Sequence, residues 1–192
     1  MNSLAVPVKI AHVVFRTRRF DEMLNWYQRV FDARVQHKNP AVAFLTFDDE
    51  HHRFAFVNLA VVSPDSNEPS DGIASGVDHV AFTFAGLDEL METYFRLDEA
   101  GIKPYWSIHH GMTISFYYND PDGNRIEFQA ERFATTTEGN AYFHSDAFSQ
   151  NPIGVNFDAE EFGRRFRSGE SPESLFEMPE GPPAMIPPAH GI

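Results

Sequence analysis

Apolar and polar positions in this chain alternate in short runs, switch to helical spacing, then return to short runs, and the cycle occurs twice. Residues 9–17 are rich in β-branched and aromatic side chains and predict a strand. Over residues 19–31, Met23, Leu24, Tyr27 and Phe31 recur at helical spacing and predict an amphipathic helix. Strands are predicted near 33–36, 42–47 and 53–60, with the pair Asp48-Asp49 and the break at 50–51 marking the turn before the last. A stretch rich in Pro, Ser, Asp and Gly over 63–76 predicts a connecting loop. The order then repeats. A strand over 77–84 precedes a helix over 87–99 that Gly101 stops. Strands follow near 103–108, 112–118 and 124–129, the last two separated by the turn signal at 119–124.

The expectation is an α+β fold of two repeated β-α-β-β-β modules, about 8–60 and 77–130, within one domain over 1–130. Residues 131–192 read as a C-terminal extension. Its first part, 131–156, reads as irregular. A short helix capped by Asp158 is predicted up to Arg167, and the Pro/Gly-rich stretch 177–192 predicts a surface wrap or a mobile tail.

The repeat keeps its register: His12 matches His79, Phe15 matches Phe82, Asp21 matches Asp88, Glu22 matches Glu89 and Tyr27 matches Tyr94. This bears on chemistry, because His12, His79 and Glu127 each interrupt an apolar strand segment with a side chain able to bind a metal. A buried polar group without a partner costs roughly 2–7 kcal/mol, and sharing one ion would remove that cost. A lone strand histidine is ordinarily a satisfied core residue. Two histidines at equivalent places in a repeat make a better ligand set, and with one carboxylate they form the facial group of non-haem Fe(II) oxygenases.

Composition narrows the classes further. At 192 residues the chain is one large domain or two small packed units, and 42% hydrophobic content with 19 Phe supports a well-formed core. A net charge of −13 argues against nucleic acid or an anionic membrane as the main partner. No apolar run is long enough to span a bilayer, and residues 1–7 lack a secretory core, so a cytoplasmic location is expected. Without cysteine, thiol nucleophiles and zinc–thiolate sites are excluded, and a metal must be held by His, Asp, Glu or Tyr.

At this point the chain resembles a known family. Two such modules, with His on each first strand and Glu on the last, look like the vicinal oxygen chelate superfamily. From His110 through Phe116-Tyr117, Asp120-Pro121 and Gly123 to Glu127, the order and spacing resemble the type I extradiol ring-cleaving dioxygenases, in a small two-module form. The resemblance implies His12, His79 and Glu127 as ligands of Fe(II), with Mn(II) as the alternative ion. It implies a half-open barrel around that site, and an acid-base role for His52, in His52-Arg53-Phe54-Ala55. It also places His110 and Tyr117 in the substrate pocket. Of the adjacent pair His109 and His110, His110 is favoured; His109, His37, His144 and His190 are expected at the surface. Tyr117 reads equally as a hydrogen-bond donor or a packing residue.

One further argument comes from the residues alone. Aligning 53–56 with 125–128 puts Ala55 where Glu127 supplies its carboxylate, so the first module offers no fourth ligand and the ion keeps an open face. An open face favours oxygen chemistry, and the resemblance above then implies Fe(II)-dependent cleavage of a catechol-type diol by O2. The alternatives are a metal-dependent isomerase, lyase or transferase, or a metal-free binding module. The expected partners are a small aromatic diol and O2, with a homodimer or higher homo-oligomer as the assembly. Phe54, Phe56, Trp106, Phe116 and Tyr118 are candidates for an aromatic pocket or for the core, and the segment 142–148 is a candidate for closing the pocket mouth.

Overall fold

The computed structural model describes residues 10, 12–49, 52–62, 64 and 79–187. The expected loop at 63–76, apart from residue 64, the start of each module's first strand, and His190 lie outside the described residues. By contacts the chain divides into two units, one comprising 1–71 with 120–123 and the other 72–119 with 124–192.

In the first unit, β1 (Val13–Thr17) leads into α1 (Phe20–Phe31), followed by β2 (Arg34–Lys38), β3 (Val42–Thr46), β4 (Phe54–Asn58) and the single turn α2 (Leu59–Val62). The open sheet has the order β1-β4-β3-β2, with β1 parallel to β4 and the other pairs antiparallel. Helix α1 buries Phe20, Met23, Leu24, Tyr27 and Val30. The Tyr27 ring packs on Phe15, Phe54 and Phe56, which fixes one face of the sheet as the helix side. Alternation then turns His12, Val14, Phe44 and Ala55 to the other face. Strand β4 ends earlier than expected because the Asn58 side chain accepts from the Ala60 N–H (3.1 Å) and starts α2.

The second unit repeats this frame. Strand β5 (His79–Thr83) leads into α3 (Leu87–Glu99), then β6 (Trp106–His109), β7 (Thr113–Asn119) and β8 (Arg125–Glu131). Helix α3 buries Leu87, Leu90, Met91, Tyr94 and Leu97, each the counterpart of a buried α1 residue. Gly101 ends it in the left-handed region at φ 76°, a conformation that favours glycine. The β7–β8 turn closes through Gly123 N–H to Asp120 O (2.9 Å), with Gly123 at φ 83°.

Residues 131–156, expected to be irregular, contain α4 (Thr136–Phe143), α5 (Asp146–Gln150) and β9 (Val155–Asn156). The helices are short and lack an apolar stripe, so periodicity does not reveal them. Their signals are caps: a reciprocal Thr135–Glu138 capping box and a Ser145 cap. Strand β9 pairs with β6, giving an open five-stranded sheet of order β5-β8-β7-β6-β9. Helix α6 (Ala159–Arg167) starts at Asp158 as expected, its carboxylate accepting from Glu161 N–H at 2.7 Å. After α7 (Pro172–Leu175) the chain lies back on this unit, with Ala184 and Ile186 packed against Trp106, Ile108 and Tyr117. Among the described residues, no helix is long and apolar enough to cross a membrane.

Candidate active site

The strand registers align the two modules residue by residue. In the first sheet Val14 pairs with Ala55, and in the second Ala81 pairs with Glu127. His12 and His79 each lie two residues before these pairs, so the two histidines occupy equivalent places and Ala55 stands where Glu127 does. Across the next ladder Phe44 faces Ala55, and Tyr117 faces Glu127.

In the second unit these positions converge on the sheet face away from α3. His79 Nε2 lies 3.0 Å from a Glu127 carboxylate oxygen, and His110 Nε2 lies 3.8 Å from the other. Glu127 is only 4% exposed. Burial pushes its carboxyl upward, but hydrogen bonds from His79 and Ser115, with the nearby imidazoles of His110 and His79, outweigh this and hold it below the usual carboxylate range. The group therefore stays an anion at neutral pH. Burial and the Glu127 charge together raise the pKa of Glu131, further along the same face.

His110 Nδ1 is 2.6 Å from the Ile153 carbonyl oxygen, and its Nε2 is 3.2 Å from the Tyr117 hydroxyl. The Tyr117 ring stacks on Trp106 and meets the His79 ring edge-on. A cavity of about 440 Å³ opens here, lined by His110, Tyr117, Glu127, Gln129, Phe148 and Pro152 among others. Met112 and Glu131 border both this cavity and a second one of about 630 Å³, whose walls include Phe84, Phe133 and Asn140. Of the segment expected at the pocket mouth, Phe148 lines the cavity.

His109 departs from expectation. It is 1% exposed, not at the surface. Alternation turns it to the helix side of the sheet, opposite His110. Its Nδ1 accepts from Gly111 N–H (2.9 Å) and its Nε2 reaches the Phe176 carbonyl (2.9 Å). Burial lowers its pKa to about 4, partly opposed by that carbonyl. His37 and His144 are exposed as expected. The aromatic candidates divide by face: Phe54, Phe56, Phe116 and Tyr118 are core residues, whereas Trp106 backs the cavity through Tyr117.

In the first unit the rings of His12 and His52 stack with centroids 4.4 Å apart, and Phe44 meets His52 edge-on at 4.9 Å. His12 is exposed and His52 half-buried. Among the described residues, no group of three His, Asp or Glu side chains is placed to share an ion. The pair His79–Glu127 does fit a divalent cation, because an imidazole nitrogen and a buried carboxylate oxygen point at one another on one sheet face. Sequence reasoning missed Ser115, which alternation from Tyr117 would have found, and Met112 and Pro152, which carry no local signal.

Comparison with known proteins gives a consistent picture. The sequence matches the Glyoxalase/Bleomycin resistance protein/Dioxygenase superfamily over residues 9–128. Biphenyl-2,3-diol 1,2-dioxygenase 2 of Rhodococcus globerulus is 43% identical over 150 residues, covering 78% of this chain and 77% of that protein. Biphenyl-2,3-diol 1,2-dioxygenase 3 of the same organism is 38% identical over 172 residues, covering 89% and 88%. Among solved structures, the fosfomycin resistance protein FosX of Listeria monocytogenes aligns with a TM-score of 0.52 at 15% identity, over 71% of this chain and 99% of that one. A glyoxalase/bleomycin resistance protein/dioxygenase from Alicyclobacillus acidocaldarius aligns at 0.51 and 18% identity, over 68% and 96%. These structural likenesses show the fold alone.

Proposed function

The chain belongs to the Glyoxalase/Bleomycin resistance protein/Dioxygenase superfamily, and from that premise we infer that it is an extradiol ring-cleaving dioxygenase acting on an aromatic diol. The observation that carries the reading is the buried, ionised Glu127 paired with His79 beside His110 and Tyr117. His12, at the place equivalent to His79, completes the ligand set, and Ala55 leaves the fourth position without a protein donor. The ion is Fe(II). When bound, it supplies the redox chemistry that O2 requires and lowers the pKa of the diol hydroxyls.

The protein's own groups do the rest. Glu127 and His79 hold charge and orientation on a rigid sheet. His110 and Tyr117 face the diol and handle its hydroxyl protons, while His52 shuttles protons beside His12. Phe148, Pro152 and Met112 give the cavity an apolar wall suited to an aromatic ring. The adjoining space at Phe84 and Phe133 suits a diol with a bulky apolar substituent, in line with the biphenyl-diol relatives. The test is oxygen uptake and yellow product formation by protein loaded anaerobically with Fe(II), using catechol and biphenyl-2,3-diol. Cleavage of neither would reject the proposal.

A further inference from the structure

The C-terminal extension gives the cavity apolar wall at Phe148 and Pro152 but supplies no ligand or proton-handling side chain, yet its main chain reaches both histidines at the end of β6. A carbonyl oxygen can only accept a hydrogen bond. The 2.6 Å contact of His110 Nδ1 with Ile153 O therefore requires the hydrogen on Nδ1. In the neutral ring Nε2 is then a lone-pair acceptor, and the Tyr117 hydroxyl 3.2 Å away donates to it. His109 is held the opposite way. Its Nδ1 accepts from Gly111 N–H, so its hydrogen lies on Nε2 and goes to Phe176 O. Two adjacent imidazoles are thus held in opposite tautomers by two carbonyls of the extension.

The placement of Ile153 is built rather than incidental. The Asn151 side chain clasps Gly154, accepting from its N–H (2.8 Å) and donating to its carbonyl (3.0 Å). The same carbonyl accepts from Ala184 N–H (2.8 Å). Gly154 adopts φ 111°, and any Cβ there would collide with the His109 carbonyl oxygen and crowd the His110 Cα. Immediately afterwards Val155 pairs with His109 in the β6–β9 ladder.

We propose that the 151–154 turn is a positioning device: through the Ile153 carbonyl it fixes the hydrogen of neutral His110 on Nδ1 and keeps Nε2 as the proton acceptor facing the cavity. Asn151 and Gly154 are positioning residues that act on the reaction through His110, not by touching the diol. The proposal rests on the reading of this cavity as the reaction site, but its main test does not need turnover.

The experiment is long-range 1H–15N correlation NMR on histidine-labelled, metal-free protein, which distinguishes the two neutral tautomers of each ring. The wild type should show His110 as Nδ1–H and His109 as Nε2–H. In Asn151→Ala, His110 should populate both tautomers while His109 stays Nε2–H, an internal control for an intact sheet. With Fe(II) restored and biphenyl-2,3-diol as the probe, that variant should lose roughly 10-fold or more in kcat with KM little changed, a part of the usual acid-base contribution. Gly154→Ala should do the same more severely. An Nε2–H tautomer at His110 in the wild type would overturn the proposal without any variant. So would an Asn151→Ala protein that keeps a pure Nδ1–H signal, whatever its kcat. Absence of ring cleavage in the wild type, with the tautomers as expected, would instead reject the dioxygenase reading and leave the tautomer assignment standing.

Discussion

The two modules share a frame and differ in what they place on it. Helices α1 and α3 bury five residues each at matching positions, and the first strand of each pairs in parallel with the last in the same register. On the face away from the helix, the first module sets Ala55 opposite Phe44, where the second sets Glu127 opposite Tyr117. Their outer strands differ as well. Strand β2 is exposed along its whole length and carries Arg34, Lys38 and a register shift between Val35 and His37, features that discourage edge pairing. Its counterpart β6 is buried throughout, because β9 pairs with it. Each module thus carries one histidine at the equivalent place, while the carboxylate, the aromatic hydroxyl and the covered strand belong to the second alone.

The largest effect should come from erasing this asymmetry at Glu127. Glu127→Ala makes the second module resemble the first, and we expect loss of both iron retention and ring cleavage. Retained iron, measured by metal analysis, would refute its role. The reverse change, Ala55→Glu, gives the first module the second's carboxylate. A fourth protein donor should keep the iron but close the position that substrate needs, so turnover should fall by at least about 10²-fold, a loss comparable to that of a positioned acid-base group. Normal oxygen uptake by this variant would break the proposed equivalence of the two positions at the ion.

Proton-handling groups come next. His52→Gln should keep full iron content and near-normal anaerobic diol binding while losing about 10²–10⁴-fold in rate. Tyr117→Phe should cost less, since it removes one hydroxyl and preserves the ring. Loss of iron in His52→Gln would make His52 a ligand or a structural prop instead.

The smallest effect concerns the covered strand. Buried His109 binds its proton only near pH 4 in the fold, whereas the unfolded chain does so near 6.5. The unfolded state therefore holds more protons between these values, and stability falls as pH drops through that window, by up to about 3 kcal/mol. His109→Asn keeps an acceptor for Gly111 N–H but cannot titrate. Urea denaturation at pH 7 and pH 4 should show a smaller acid loss in this variant than in the wild type. An equal loss would mean that His109 protonates without penalty.

Much of this frame is legible in the sequence, for local reasons. The α3 boundaries follow from spacing and from Gly101, and the β7–β8 turn from Asp120, Pro121 and Gly123. The equivalence of His12 with His79, and of Ala55 with Glu127, follows from internal repetition. Burial of His109 does not, because its cover comes from Val155 and Phe176, far along the chain and without periodicity. Helices α4 and α5 escape for a related reason: they are specified by the caps Thr135 and Ser145, not by an apolar stripe. The Ile153 contact is invisible in principle, since a main-chain carbonyl is the same in every residue.

The central claim is that His12, His79 and Glu127 hold one ion and that His52 does not. The direct measurement is iron content after anaerobic reconstitution and desalting, compared across the wild type, His12→Ala, His79→Ala, Glu127→Ala and His52→Gln. The account predicts equimolar iron in the wild type and His52→Gln, and none in the three ligand variants. Iron retained at wild-type level in His12→Ala would contradict it, because the first module would then contribute nothing to the site.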